Sequence, residues 1–407
     1  MLRKAVRRVG RLPARWLSRF RRRDRRVWVL GNRRGFRDNT RYLAEHLHHE
    51  HPEIETWWIA ASETDAAGAR DAGLRSAVLG TTESAEVQRR AGAAFICTGF
   101  DDLDSASLAG SYLVHLRHGK GLKRVLLDVD ESRLMGGSAI GRFSARAYRW
   151  FMSRRLGQVD MVVAPGELAK TWYISAFGAS ADRIRVLGTP RFDVILGGPA
   201  YDRVARGDLR ARLGLAADEY VVLWLPTWRD EGDEAWLPTL EAADVDTELG
   251  GSRVVLLVKP HPNNDPRVFR ERIPTDGHVR FTGDDAADVN CLLRIADALV
   301  TDYSSAAFDY AILDRPIHVF APDIAEHGGS RDLYEPLESW TRGRHHCDWP
   351  SLMRAIRAAA EVDDAADRRL PALIRERSRY VDSPGSCERV AGAVADALGG
   401  ARLLTSS

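Results

Sequence analysis

Residues 296–317 read ADALVTDYSSAAFDYAILDRPI. The short apolar run Ala298-Leu299-Val300-Thr301 predicts a buried parallel strand. Asp302-Tyr303-Ser304-Ser305 then makes a tight turn, and residues 306–313 have helical composition, closed by Asp314 before Arg315-Pro316. Ser304 is placed to cap that helix, its hydroxyl accepting from a backbone N–H two or three residues on. A strand turning straight into a helix on small hydroxyl residues leaves N–H groups and a positive dipole end aimed at one point, an anion seat. An ordinary helix cap in a βα unit looks the same, so the ends of the other strands must decide.

The pattern recurs upstream. Residues 220–225 form a continuous apolar run ending in Pro226-Thr227-Trp228-Arg229, and residues 253–258 another ending in Lys259-Pro260-His261-Pro262-Asn263. A weaker strand is predicted at 279–282 and a helix at 289–296. Parallel strands share one carboxyl-end edge, where α/β folds bind ligands. An arginine, a lysine, a histidine and a helix N-terminus at that edge would hold two adjacent phosphates. Downstream, 317–320 predicts a last strand, Asp323 opens a loop over the site, and helices follow at 352–360 and 386–398, one of them able to pack back on the first half.

The first half alternates in the same way, with strands near 26–31, 56–60, 77–79, 93–97, 111–116, 161–165 and 184–188, which implies a second parallel sheet. Gly31-Asn32-Arg33-Arg34-Gly35 is not a GxGxxG fingerprint. Asp38 or Asn39 reads as the cap of the helix that follows. His118 stands at a strand's carboxyl end beside Gly119, Lys120 and Lys123, where a group with an ordinary pKa near ~6.5 can take up a proton. His115, three residues earlier, reads as structural. His46, His48, His49 and His51 crowd one helix end, but with no nearby cysteine or well-spaced carboxylate a solvated helix terminus is the favoured reading. The contiguous Arg344-His345-His346-Cys347-Asp348 reads as a loop, and Asp101-Asp102 and Asp284-Asp285 as turns. A connector near 200–215 places the domain boundary, giving domains at 27–210 and 211–407.

Of the 59 Lys and Arg residues, twelve fall in residues 1–26 against one acid, Asp24, so the remainder of the chain is net acidic. Leu2, Val6, Val9, Leu12, Trp16 and Phe20 recur three or four apart there, predicting an arginine-rich amphipathic segment, interrupted at Pro13, that lies on an anionic membrane. A disordered basic tail or a nucleic-acid arm is the competing reading. No apolar run approaches the roughly 18–20 residues that span a bilayer. The four cysteines, Cys97, Cys291, Cys347 and Cys387, are scattered and suit a reducing compartment. The expected location is the cytoplasmic face of the cell membrane, peripherally bound.

Together these motifs carry a resemblance. His118-Gly119 with Lys123, Gly188 through Pro190-Arg191 to Asp193, Pro226-Thr227-Trp228-Arg229, Lys259-Pro260-His261-Pro262, and Thr301-Asp302-Tyr303-Ser304-Ser305 with Phe308-Asp309 resemble the CDP-glycerol glycerophosphotransferase family. Asp38-Asn39 with Arg41-Tyr42-Leu43 resembles its amino end. Where the family usually carries Thr-Pro, this chain has Lys120-Gly121. The resemblance spans roughly residues 27–390 and implies a GT-B-like α/β fold, two Rossmann-like domains with parallel sheets on a central cleft. It further implies teichoic acid or capsular polymer synthesis: a CDP-alcohol donor, a polyprenyl-linked or polyol-phosphate acceptor, and CMP as leaving group. His118 and His261 are then the catalytic candidates. Gly119, Lys123, Arg191, Thr227, Arg229, Lys259, Thr301, Asp302, Ser304, Ser305 and Asp309 are the binding candidates. Arg229, Lys259 and His261 are expected to neutralise the diphosphate. No cofactor and no nucleic acid partner are expected, and no metal set stands near the motifs. The alternatives are a GT-B glycosyltransferase or epimerase acting on a UDP-sugar, and a non-catalytic nucleotide-binding protein at the membrane.

Overall fold

The computed structural model describes residues 21–119, 123–129, 139–197, 206–229, 236–261, 263–275, 277–282, 288–324, 333–362 and 364–404. The predicted amphipathic stripe from Leu2 to Phe20 lies outside them, as do Lys120, Pro262 and most of the loop after Asp323.

The chain divides into two units. In the first, β1 (Asp24–Gly31), α1 (Asp38–Glu50), β2 (Glu55–Ala60), α2 (Glu63–Asp71), β3 (Arg75–Val78), α3 (Thr82–Arg90), β4 (Ala91–Ile96), β5 (Tyr112–His115), α4 (Ala139–Leu156), β6 (Met161–Ala164), α5 (Glu167–Phe177) and β7 (Ile184–Val186) follow in turn. The strands pair in parallel in the order β3-β2-β1-β4-β5-β6-β7. Helix α6 (Pro190–Leu196) carries the chain out of this unit between Asp193 and Val194.

The second unit contains α7 (Arg206–Arg212), β8 (Tyr220–Leu225), α8 (Ala242–Leu249), β9 (Val254–Val258), α9 (Pro266–Arg272), β10 (Val279–Phe281), α10 (Val289–Ile295), β11 (Ala298–Thr301), α11 (Ala306–Tyr310), β12 (Ile317–Val319), α12 (Leu337–Thr341), α13 (Trp349–Glu361) and α14 (Arg369–Ser378). Its sheet is again all parallel, in the order β10-β9-β8-β11-β12. β8 and β9 are nearly uninterrupted apolar runs because both of their faces are covered. Trp224 of β8 meets Trp349 of α13 edge-on at 5.0 Å, and burying one such side chain contributes roughly 1.5–3 kcal/mol.

The final helix, α15 (Ser386–Leu398), corrects the predicted boundaries: Val381–Ser407 belongs to the first unit, whereas the sequence reading assigns all of 211–407 to the second. Cys387, Val390, Ala391 and Val394 lie in the first core with Trp28, Leu43 and Leu47. Gly188 permits this return, since a Cβ there would stand 2.3 Å from the Ser386 hydroxyl, and its φ of +77° is one that side chains rarely adopt.

Strand order reverses between β1 and β4 in one sheet and between β8 and β11 in the other, the two places where loops part and a ligand can enter. At the first, Gly31 ends β1 beneath the Asp102 backbone; a Cβ would come within 2.8 Å of the Asp102 carbonyl oxygen.

Candidate active site

In the first unit the loop after β5 brings His118 against Asp38, the first residue of α1, with the ring Nδ1 on the carboxylate. His118 is half exposed, whereas Asp38 is buried. Arg34 Nη1 lies 3.3 Å from the other ring nitrogen, Nε2. A carboxylate at Nδ1 accepts its proton and leaves the Nε2 lone pair outward, where Arg34 donates to it. That is the tautomer a general base requires.

The pair rests on a strained scaffold. Asp38 and Arg117 both sit at positive φ, +66° and +59°, conformations that cost free energy unless the surroundings hold them. Asn39 does much of that holding. Its amide donates to the Arg117 carbonyl at 2.7 Å, and its Oδ1 accepts from the Arg191 N–H at 2.9 Å. The Arg117 guanidinium lies over Tyr173 and Phe177, 5.2 and 5.7 Å from their centroids. Arg191, itself buried, reaches Asp38 at 3.9 Å. Burial alone would push the Asp38 carboxyl up. The hydrogen bond and charge of His118, with Arg191 and the Asn39 N–H, outweigh it and bring the pKa down to about 2.

Asp38, Cys97 and His118 place three donor atoms within 4.8 Å of one another. Burial, then the charges of Asp38 and Asp102, push the Cys97 thiol well up, and it donates to the Arg117 carbonyl at 3.2 Å. A thiol kept protonated is a poor metal ligand.

In the second unit the predicted residues meet at the switch point between β8 and β11. Asp302 accepts from the Thr227 N–H at 3.1 Å and from the Thr227 hydroxyl. Arg229 bonds Asp302 at 2.8 Å and Asp323 at 2.9 and 3.1 Å, and all three side chains are buried. The Arg229 guanidinium also lies 4.2 Å from the Trp236 ring centroid. Burial opposes its charge, but Asp302 and Asp323 prevail and raise its pKa. The Tyr303 hydroxyl donates to Asp323 at 3.3 Å, and burial followed by the Asp323 charge pushes that phenol up. One guanidinium between two carboxylates leaves this cluster net negative. The sequence reading aims Arg229 at the diphosphate; the structure engages it instead in a buried ionic lock that shapes the loops.

The remaining predicted residues are placed as follows. Thr301 is fully buried and ties β11 to β8 through the Leu225 carbonyl at 2.7 Å. Ser304 makes the predicted bond, its hydroxyl accepting from the Ala306 N–H at 3.1 Å, but the N-cap position falls on the half-buried Ser305, whose side chain makes no cap hydrogen bond. Helix α11 has only five residues, so it presents local N–H groups more than a macrodipole. Asp309 is buried. Lys259 is half-buried at the end of β9, and His261 is exposed beyond it. His261 Nδ1 accepts from the Asn263 N–H at 3.2 Å, so the neutral ring carries its proton on Nε2, as a donor. Gly119 and Lys123 fall in the second unit, although His118 belongs to the first. Lys123 bridges Leu333 there in antiparallel fashion. Sequence reasoning missed Asp38 and Arg34 as partners of His118, Asn39 as the support of the Arg117 turn, and Asp323 as a partner of Arg229. The signals for Asp38 were a carboxylate heading a helix and the Asp38-Asn39 resemblance to the family's amino end.

The family model for CDP-glycerol:poly(glycerophosphate) glycerophosphotransferase matches residues 14–396. The chain is 31% identical over 225 residues to a teichoic acid poly(glycerol phosphate) polymerase of Staphylococcus epidermidis, covering 53% of this chain and 29% of that protein. It is 30% identical over 267 residues to a teichoic acid glycerol-phosphate transferase of Staphylococcus aureus, covering 63% of each. The alignments thus span less than two thirds of these relatives' lengths. Among solved structures, the wall teichoic acid polymerase TagF superposes with a TM-score of 0.73 at 21% identity, covering 98% of this chain and 97% of that one. MnaA of S. aureus, solved with UDP, superposes at 0.52 with 12% identity. These likenesses identify the fold as GT-B-like, and the family match, with the motifs it spans, makes this chain a member of the CDP-glycerol:poly(glycerophosphate) glycerophosphotransferase family.

Proposed function

We propose that the protein transfers glycerol phosphate, or a related polyol phosphate, from a CDP-alcohol to a hydroxyl of a lipid-linked acceptor, releasing CMP. The observation that carries this reading is the Asp38–His118 pair, a base oriented by a buried carboxylate. The acceptor hydroxyl gives its proton to His118 Nε2 and its oxygen attacks the β-phosphorus. The bond from that phosphorus to the CMP oxygen breaks, leaving a new phosphodiester and CMP. Such transfers depend on positioning and on stabilising negative charge. In the first unit Asp38 orients the base, and Arg34 must leave Nε2 as the hydroxyl arrives. In the second, Lys259, the Nε2–H of His261 and the Ser304-Ser305 turn are donors that suit a diphosphate, while Arg229, Asp302 and Thr227 tie the loop after β8 to the loop that carries the serines.

Peripheral attachment to an anionic membrane is part of the same proposal. On α4, Tyr148, Trp150 and Phe151 are exposed, Trp150 by 62%, alongside Arg146, Arg149, Arg154 and Arg155. Exposed aromatics among arginines match a surface that rests on lipid headgroups, as does the basic segment 1–26. Among the described residues no helix is long and apolar enough to cross a membrane.

The test is acceptor-dependent CMP release from CDP-glycerol, run beside CDP-ribitol and UDP-sugars. Release that His118→Ala abolishes supports the proposal. Turnover of a UDP-sugar with every CDP-alcohol silent would replace it. For the membrane, Trp150→Ser with Arg154→Ser should reduce binding to phosphatidylglycerol vesicles about tenfold; unchanged binding would remove α4 from the contact.

A further inference from the structure

Of the four histidines at the end of α1, the structure separates two. His48 lies against Gly73, where a Cβ would stand 2.9 Å from its Nε2, and its ring is 5.1 Å from that of His49. His46 and His51 turn toward α15, and their Nε2 atoms meet a single oxygen, Glu388 Oε2, at 3.2 and 2.7 Å. The three donor atoms all lie within 4.8 Å of one another. Both imidazoles are nearly buried, at 12% and 9% exposure, whereas Glu388 is 55% exposed and leaves the cluster open on one side.

The other nitrogen of His51, Nδ1, faces Glu53 Oε1 at 3.2 Å, and Glu53 is as buried as His51. A carboxylate at Nδ1 takes the ring proton there, so neutral His51 points a lone pair from Nε2 at Glu388. A lone pair 2.7 Å from a carboxylate oxygen repels it unless a proton or a metal cation stands between them. His46 presents the same oxygen with a second nitrogen. Two imidazoles, one carboxylate, an open vertex and a carboxylate behind one imidazole make up the donor set of a zinc-type site with its outer shell. Ligand atoms on a tetrahedral Zn²⁺ lie about 3.3 Å apart, so small side-chain rotations from the observed separations would admit the ion. Mixed nitrogen and oxygen donors favour Zn²⁺ and its first-row neighbours over Mg²⁺ or Ca²⁺, which take oxygen.

We propose that His46, His51 and Glu388 form a binding site for a divalent transition-metal cation, Zn²⁺ by preference, that fastens the returning helix α15 to α1. Its role is structural. The three residues before Glu388, namely Gly385, Ser386 and Cys387, each donate an N–H to Asp193 at 2.8 Å. Asp193 closes the segment that carries Arg191, which stands behind Asp38. A cation on Glu388 therefore secures the turn from which that support extends.

The experiment uses the purified full chain, stripped by a chelator and titrated with Zn²⁺ against a chromophoric competitor, with thermal unfolding followed in parallel. One equivalent should bind with submicromolar affinity and raise the unfolding midpoint by several degrees. Glu388→Gln and His46→Gln should each weaken binding about 100-fold and abolish the thermal shift, and Glu53→Gln should weaken it about 10- to 100-fold. His48→Gln should change neither. Unfolding of each variant in chelator, compared with the stripped wild type, separates a cost to folding from a loss of binding. Failure to take up Zn²⁺ in the wild type, or uptake equal in all four variants, overturns the site.

Discussion

The two switch points are closed by the same residue type, an aspartate after the far strand, and by different chemistry. In the first sheet, Asp102 after β4 accepts from the N–H groups of Cys97, Thr98 and Gly99 in its own loop, from the Thr98 hydroxyl, and from the Arg33 N–H of the loop after β1. In the second, Asp302 after β11 accepts from the N–H and hydroxyl of Thr227 in the loop after β8, and pairs with Arg229, which Asp323 shares. Backbone donors fix a carboxylate without adding charge and cannot be mutated away. A buried guanidinium fixes two carboxylates at once, but everything then depends on one side chain. The first arrangement leaves the neighbouring β5 end free for His118; the second builds the ionic lock into the loops after β8, β11 and β12 themselves.

The sharpest way to break this contrast is Arg229→Met, which fills the volume and strands Asp302 and Asp323 in a dry site. Removing one partner of a buried ion pair costs about 3–5 kcal/mol, so urea unfolding should show a loss of that order. A loss below about 1 kcal/mol would mean that water reaches the cluster and that the lock is a surface pair. The same change should reduce CMP release through disordered loops, raising KM for the CDP-alcohol along with any fall in kcat.

Asp38→Asn comes next. Asparagine tolerates the positive φ at this position, so the backbone survives while the orienting charge is lost. Turnover should fall roughly 10²–10³-fold, about 3–4 kcal/mol of barrier. Stability carries a separate signature. The folded pKa of about 2 lies below the ordinary 3.8, so the ionised carboxylate stabilises the fold above about pH 4 and loses that contribution as pH falls from 4 to 2. The wild type should exceed the variant by about 2 kcal/mol at pH 6, and the two should converge near pH 2. A gap that persists at pH 2 would assign the effect to packing.

Much of this was legible in the sequence. The apolar runs of β8, β9 and β11, with their polar ends, reveal the second sheet because a strand covered on both faces must be apolar throughout. The location of Thr227, Asp302 and Ser304 at one edge follows from parallel order alone. What sequence does not carry is burial of charge. Arg229 reads as a phosphate ligand, and only the third partner, Asp323, 94 residues away, shows that it is already occupied. Asp38 reads as a helix cap because its partner His118 lies 80 residues on. His46 and His51 share no carboxylate until α15 returns, bringing Glu388 337 residues after His51. The same return defeats a boundary drawn from composition, since helix α15 is amphipathic in a way that would suit either core.

The smallest expected effect sharpens the comparison most, because the two sites share one further element: a threonine hydroxyl on the aspartate. Thr98→Val and Thr227→Val keep a β-branched side chain and delete that one bond. Asp102 keeps four backbone donors without the Thr98 hydroxyl, so the first change should cost about 1 kcal/mol or less. Asp302 keeps only the Thr227 N–H and Arg229, and the hydroxyl it loses belongs to the other loop. The second change should therefore cost about 1.5–3 kcal/mol, the range for a hydrogen bond to a charged group. The ordering matters more than either value. Equal losses would mean that the guanidinium makes up for missing backbone donors, and that the two switch points differ in charge alone; a larger loss at Thr227 makes donor number, and the loop that supplies it, the difference between them.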